Sequence, residues 1–128
     1  AVASGMAPIA LGTQTAGSIG RPASYCGVFG FKPSFGIIPR IGVLKTSDTL
    51  DSIGFFTRSI DDLSLAFEAS RAKGENYEYV HKYIDKRSIK KNKYRVAIIE
   101  HSFSHLNNTN TQEKFTKWLK KLEQNNIE

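Results

Sequence analysis

The sequence predicts an α/β fold, and three observations carry that expectation. Apolar runs of strand length alternate along the chain with segments of helical periodicity. A polar loop, Gln14–Ser18, leads from the first apolar run into the first helical segment. The chain of 128 residues is 40% hydrophobic and 23% charged, which is the make-up of a globular domain with one modest core. There are no internal repeats.

The elements follow in order. Residues 1–5 read as the last turn of a helix, with Gly5 as its left-handed cap. Pro8–Gly12 is a short buried strand. A helix over Ile19–Tyr25 follows, with Pro22 tolerated in its first turn. Val28–Phe31 is a second buried run, and Lys32–Gly36 is turn chemistry. Ile37–Arg40 and Gly42–Leu44 are extended pieces broken by proline and glycine. Ser59 is an N-cap, and Asp61 and Asp62 in the first turn suit the helix dipole. Leu63, Ala66, Phe67 and Ser70 share the apolar face of that helix, which fades near Gly74.

Residues 71–93 read as a polar, lysine-rich connector, to which Tyr77, Tyr79, Val80, Tyr83 and Ile84 lend some packing capacity. Arg95–Ile99 is the clearest strand pattern, and His101–Asn108 is a loop. Thr109 or Thr111 caps a final helix with Phe115, Trp118, Leu119 and Leu122 at helical spacing, and Trp118 is assigned to the core. The expected organisation is one segment over 1–70 carrying the polar loop, the connector over 71–93, and a strand–helix continuation of the same domain over 94–128.

Composition bounds the function classes. No apolar run approaches a membrane span, so no membrane partner is expected. The single cysteine, Cys26, excludes an internal disulfide and fits a reducing cytoplasm; its apolar, glycine-flanked setting makes it a buried small hydrophobe. The net charge of +6 lies wholly in residues 71–128, because residues 1–70 are balanced. Those lysines are spread as on a solvated surface, and nucleic-acid binding is not expected.

Chemistry concentrates in Thr13-Gln-Thr-Ala-Gly-Ser18-Ile-Gly-Arg-Pro-Ala23. Ser18 follows the small pair Ala16-Gly17, where the backbone can turn tightly and its N–H groups can converge on one point. This string, with Cys26-Gly-Val-Phe-Gly-Phe-Lys-Pro-Ser34, resembles the amidase signature family. The family's second block reads T-D-T-G-G-S-I-R-x-P-A, then C-G-x-x-G-x-K-P-T. Gly36–Arg40, Leu50–Gly54 and Thr57–Leu63 are also similar to it.

The resemblance implies a mixed β-sheet flanked by helices, of which this chain is a part truncated at both ends. It implies amide C–N hydrolysis through a serine acyl-enzyme. Ser18 is then the nucleophile, and the backbone N–H groups of Thr15, Ala16, Gly17 and Ser18 receive the oxyanion. The implied partner is a small-molecule amide, with a homodimer expected of the full-length enzyme. No cofactor and no metal is implied. The family's triad also needs a lysine and a serine on a cis peptide bond. By resemblance both precede Ala1, and the substrate-pocket residues follow Glu128. The chain alone is therefore expected to be inactive, since a serine hydroxyl without a base is a poor nucleophile.

Two departures sit together. Gln14 stands where the family has an acid, and Gly20 where it has an arginine, with Arg21 one position on. If the usual pair is ionic, its joint loss is self-consistent. Because of these departures, the lesser alternatives include a glutamyl-tRNA amidotransferase A-like subunit. The main alternative is a catalytically dead remnant or interaction module.

An α/β-hydrolase is a further reading. Ala16–Gly20 is a relaxed G-x-S-x-G elbow, with Asp85 and His101 or His105 as partners. Against it, Pro22 comes early in the following helix and the Cys26–Pro33 string goes unexplained. The spacing of His101 and His105 could hold a metal on a helix, but the segment lacks helical periodicity. Lys32 belongs to the structural G-x-K-P element. Arg58 and Asp51 read as packing and ion-pair residues.

Overall fold

The computed structural model describes residues 1–85, 94–98, 108–125 and 127. The chain forms two compact units, Ala1–Arg87 and Ser88–Glu128. In the first, the elements are β1 (Ile9–Gln14), α1 (Gly20–Cys26), β2 (Phe29–Phe31), β3 (Ser52–Thr57), α2 (Ile60–Ser70) and the short α3 (Glu78–Val80), which runs into a π-helical turn over His81–Asp85. The expected α/β content is present. The three described strands lie in the order β1-β3-β2, and both pairings are antiparallel, where a mixed sheet was expected.

The central strand is β3, which is not among the strands expected from sequence. Its register sets Gly12 opposite Gly54 and Phe31 opposite Phe55. Alternation along β3 divides the core between two faces. Ile53 and Phe55 pack with Ile38, Leu63, Ala66 and Phe67, on the α2 side. The edge-on contact of Phe31 with Phe67, at 5.4 Å between ring centroids, closes that cluster. Gly54 lies on the other face, beneath Ile19 at the start of α1.

The caps explain the helix limits. Ser59 accepts a hydrogen bond from the Asp62 N–H at 3.0 Å, with Asp61 and Asp62 in the first turn, as expected. The helix stops at Ser70, before Gly74. At the N-terminus Gly5 has φ +77°, its N–H donates to Val2 O, and the Met6 N–H donates to Ala1 O. This is the paired-bond end of a helical turn that the sequence implied. Arg58 holds that turn against the strands by donating to Val2 O at 2.8 Å and Ala7 O at 3.0 Å. It works through carbonyls, not through the ion pair expected.

Residues 32–51 form no strand. Gly36 and Gly42, both at φ +79°, turn the chain, and the buried Ile37 and Ile38 pin it to the core. Within residues 71–85, Val80 is buried against Ile37 and Ala72. The expected burial of Val28–Phe31 is incomplete, since Phe29 is 44% exposed on a three-residue edge strand.

In the second unit, α4 spans Thr109–Gln124 and its cap is Asn108, which accepts from the Thr111 N–H. The cap thus lies one residue before Thr109 and three before Thr111, the two positions expected. The expected strand is not formed over residues 94–98; Ile99 and most of the expected His101–Asn108 loop lie outside the described residues. Trp118 is 48% exposed and not core: α4 has no buried residue, and Trp118 stacks on Phe115 within the helix's own apolar stripe.

Candidate active site

β1 ends at Gln14, and the chain leaves the sheet through Thr15, Ala16, Gly17 and Ser18 before α1 opens at Gly20. What fixes this loop is the residue after the serine. Ile19 is 1% exposed and seated on three strand glycines. A Cβ at Gly54 would lie 2.6 Å from Ile19 Cδ1, one at Gly30 would lie 3.3 Å from Ile19 Cγ2, and one at Gly12 would lie 3.7 Å from Ile19 Cγ1. The glycines leave the space that Ile19 occupies. Since Ser18 directly precedes Ile19, this seat fixes where the serine leaves the core.

The loop is held from two further directions. Gln14 reaches back over it: its Oε1 accepts from the Ile19 N–H at 2.7 Å and the Gly20 N–H at 3.0 Å, and its Nε2 donates to Ala16 O at 2.7 Å. Thr15 Oγ1 donates to Asp51 Oδ1 at 2.5 Å. The other Asp51 oxygen accepts from the Thr46 and Ser47 N–H groups at 2.6 and 2.9 Å. Asp51 is thus a buried hydrogen-bond hub joining the loop to residues 46–51, not an ion-pair residue.

These partners decide the Asp51 charge. The Thr15 hydroxyl, then the Ser47 and Thr46 N–H groups and the nearby Arg40 charge, hold its carboxyl below the ordinary carboxylate value despite burial. With the folded pKa below the unfolded value of about 3.9, its stabilising contribution is present above that value. It is lost as pH falls through the lower folded pKa. Acid unfolding followed by circular dichroism should show this, and Asp51→Asn should lower the melting temperature at pH 7 and flatten the acid limb.

The loop brings all four expected site residues together. Ser18 and Ala16 are exposed, and Thr15 and Gly17 are half-buried. Among the described residues, the Ser18 hydroxyl has no hydrogen-bond partner, and the N–H groups of Thr15, Ala16, Gly17 and Ser18 have no acceptor. The Arg21 side chain lies along Gly17, where a Cβ would come within 3.1 Å of its Nε.

Other candidates fall away from this loop. Lys32 donates its Nζ to Pro33 O at 2.7 Å and lines a separate cavity of about 320 Å³ with Ile37 and Tyr83. Cys26, the last residue of α1 before the left-handed Gly27, is exposed and not buried. The Asp85 side chain, His101 and His105 lie outside the described residues. Among the described residues, no cluster of His, Cys, Asp and Glu could hold a metal, and no helix is long and apolar enough to cross a membrane.

Sequence reasoning missed the roles of Gln14 and Asp51. A signal for Gln14 exists: a side-chain amide between a strand and a helix start can bond free backbone groups nearby.

The amidase family model matches residues 1–128, and the chain belongs to that family. Its curated relatives include glutamyl-tRNA(Gln) amidotransferase subunits. The chain is similar to the one of Treponema pallidum (strain Nichols), with 51% identity over 73 residues, which is 57% of this chain and 14% of that protein. The same-named protein of Picosynechococcus sp. is 51% identical over 69 residues, covering 54% of this chain and 14% of the relative. That of Deinococcus radiodurans is 49% identical over 65 residues, covering 51% and 14%. The relatives carry the name that Gln14 and Gly20 had set among the lesser alternatives. They are named as subunits, a protein partnership that was not expected.

Proposed function

We propose that this chain carries the nucleophile segment of an amidase that cleaves a carboxylic amide through a serine acyl-enzyme. The observation that carries the reading is the exposed Ser18 hydroxyl beside four successive N–H groups that have no acceptor among the described residues. In this reading Ser18 Oγ attacks the amide carbon. Its proton passes to a base and then to the leaving nitrogen, which departs as ammonia. The tetrahedral oxyanion forms against the N–H groups of Thr15, Ala16, Gly17 and Ser18, each such donor being worth about 3 kcal/mol. Water then cleaves the acyl ester. By family resemblance the base is a lysine acting through a second serine. Residues 1–70 supply the nucleophile, 71–93 connect, and 94–128 continue the domain.

A second reading is favoured by the relatives' name: the ammonia is passed to a glutamyl-tRNA, and the chain belongs to one subunit of a larger enzyme. The two readings separate in one assay on the full-length protein. Ammonia release from a simple amide without tRNA supports the stand-alone amidase. Amide nitrogen appearing on aminoacyl-tRNA, and only with partner subunits present, supports the amidotransferase. No Ser18-dependent ammonia release under either condition would overturn both.

A further inference from the structure

We propose that Gln14 is a positioning residue that decides which N–H groups of the Ser18 loop remain free for the substrate. The inference rests on the reading of Ser18 as nucleophile and adds a residue to it.

The loop runs from Thr15 to Gly20 and offers six backbone N–H donors. Gln14 Oε1 takes two of them, those of Ile19 and Gly20. The remaining four, from Thr15 to Ser18, have no acceptor among the described residues. Gln14 thus takes two of the loop donors and leaves four without a protein acceptor among the described residues.

Its second bond sets a direction. Nε2 holds the Ala16 carbonyl oxygen at 2.7 Å. In a planar trans peptide the N–H points opposite to the C=O. Holding Ala16 O toward Gln14 therefore turns the Gly17 N–H away from it. One carboxamide thus removes two donors and aims a third.

In this chain, where Gly20 replaces the arginine that accompanies the family's acid, one planar group supplies both the acceptor and the donor. A carboxylate has no donor. A glutamate at position 14 would still accept from Ile19 and Gly20, but would face the Ala16 carbonyl with a second acceptor. The charges that bear on the site are Arg21, lying along Gly17, and Asp51, bonded to Thr15. Neither replaces the lost donor to Ala16 O. Relief requires the Ala16–Gly17 peptide to turn, and the Gly17 N–H turns with it. A methionine at position 14 keeps the approximate volume and removes both functions.

The test uses the full-length protein with Gln14→Glu and Gln14→Met. Ammonia release gives kcat and KM, a fluorophosphonate probe gives the rate of Ser18 labelling, and thermal melting gives stability. Misplacing one oxyanion donor predicts a fall in kcat and in labelling rate of about 100-fold for Gln14→Glu. KM and the melting temperature should stay near wild type. If Gln14→Met fails to fold, Gln14→Glu decides alone. Wild-type kcat in Gln14→Glu, or a loss of activity matched by a collapse of the melting temperature, would overturn the positioning role while Ser18 labelling in the wild type still stood. A wild-type protein not labelled at Ser18 would overturn both readings.

Discussion

Ser18→Ala in the full-length protein should abolish amide cleavage and leave the melting temperature unchanged. The two halves of this expectation have separate causes. Loss of a nucleophile that works as part of a unit costs about 10⁶-fold in kcat, leaving residual catalysis from binding and the oxyanion donors. The fold is indifferent because Ser18 is exposed and its hydroxyl has no hydrogen-bond partner among the described residues. Loop geometry comes from Ile19, Gln14 and Thr15, none of which the substitution touches. Parallel melting curves and ammonia assays on the two proteins check both halves. A melting temperature that falls with activity would mean that Ser18 supports the structure.

Gly54→Ala should have the opposite profile, acting on stability first. A Cβ there would collide with the Phe31 carbonyl oxygen and sit 2.6 Å from Ile19 Cδ1. The first neighbour is backbone of the adjacent strand and cannot step aside without disturbing the pairing. The second is the anchor of the Ser18 loop. Overpacking a core costs about 1–3 kcal/mol, more when backbone must move, and we expect the upper end. In the full-length protein that lowers the melting temperature. Where the variant still folds, Ser18 labelling should slow, because Ile19 is displaced. Gly20→Ala is the control, since a Cβ there meets nothing within 4 Å.

The contrast between these two glycines shows what the sequence could and could not reveal. Local chemistry was legible. Ser59 with Asp61 and Asp62, and Gly5 at positive φ, are short-range signals whose partners lie within a few residues. β3 was not legible, although it is the centre of the sheet. Ser52–Thr57 gains its backbone partners from two strands distant in sequence, and Gly54 weakens its local strand signal. Arg95–Ile98 has the converse character. Its residues suit a strand, but a strand exists only with a partner, and residues 94–98 have none among the described residues.

Burial misled for the same reason. Helical spacing finds an apolar stripe on α4 but not what covers it, so Trp118, expected in a core, is half exposed. The site divides in the same way. Thr15, Ala16, Gly17 and Ser18 are consecutive, so the string that proposes them as a site also places them in one loop. The Asp51 contact to Thr15 spans 36 positions, and no local pattern announces it.

The central claim is that Ser18 is the nucleophile. Its most direct test is to label the full-length protein with a fluorophosphonate, digest it and locate the adduct by mass spectrometry, with Ser18→Ala alongside. The account predicts one adduct, on the peptide containing Ser18, and none in Ser18→Ala. An adduct on another serine, or labelling undiminished in Ser18→Ala, would contradict it.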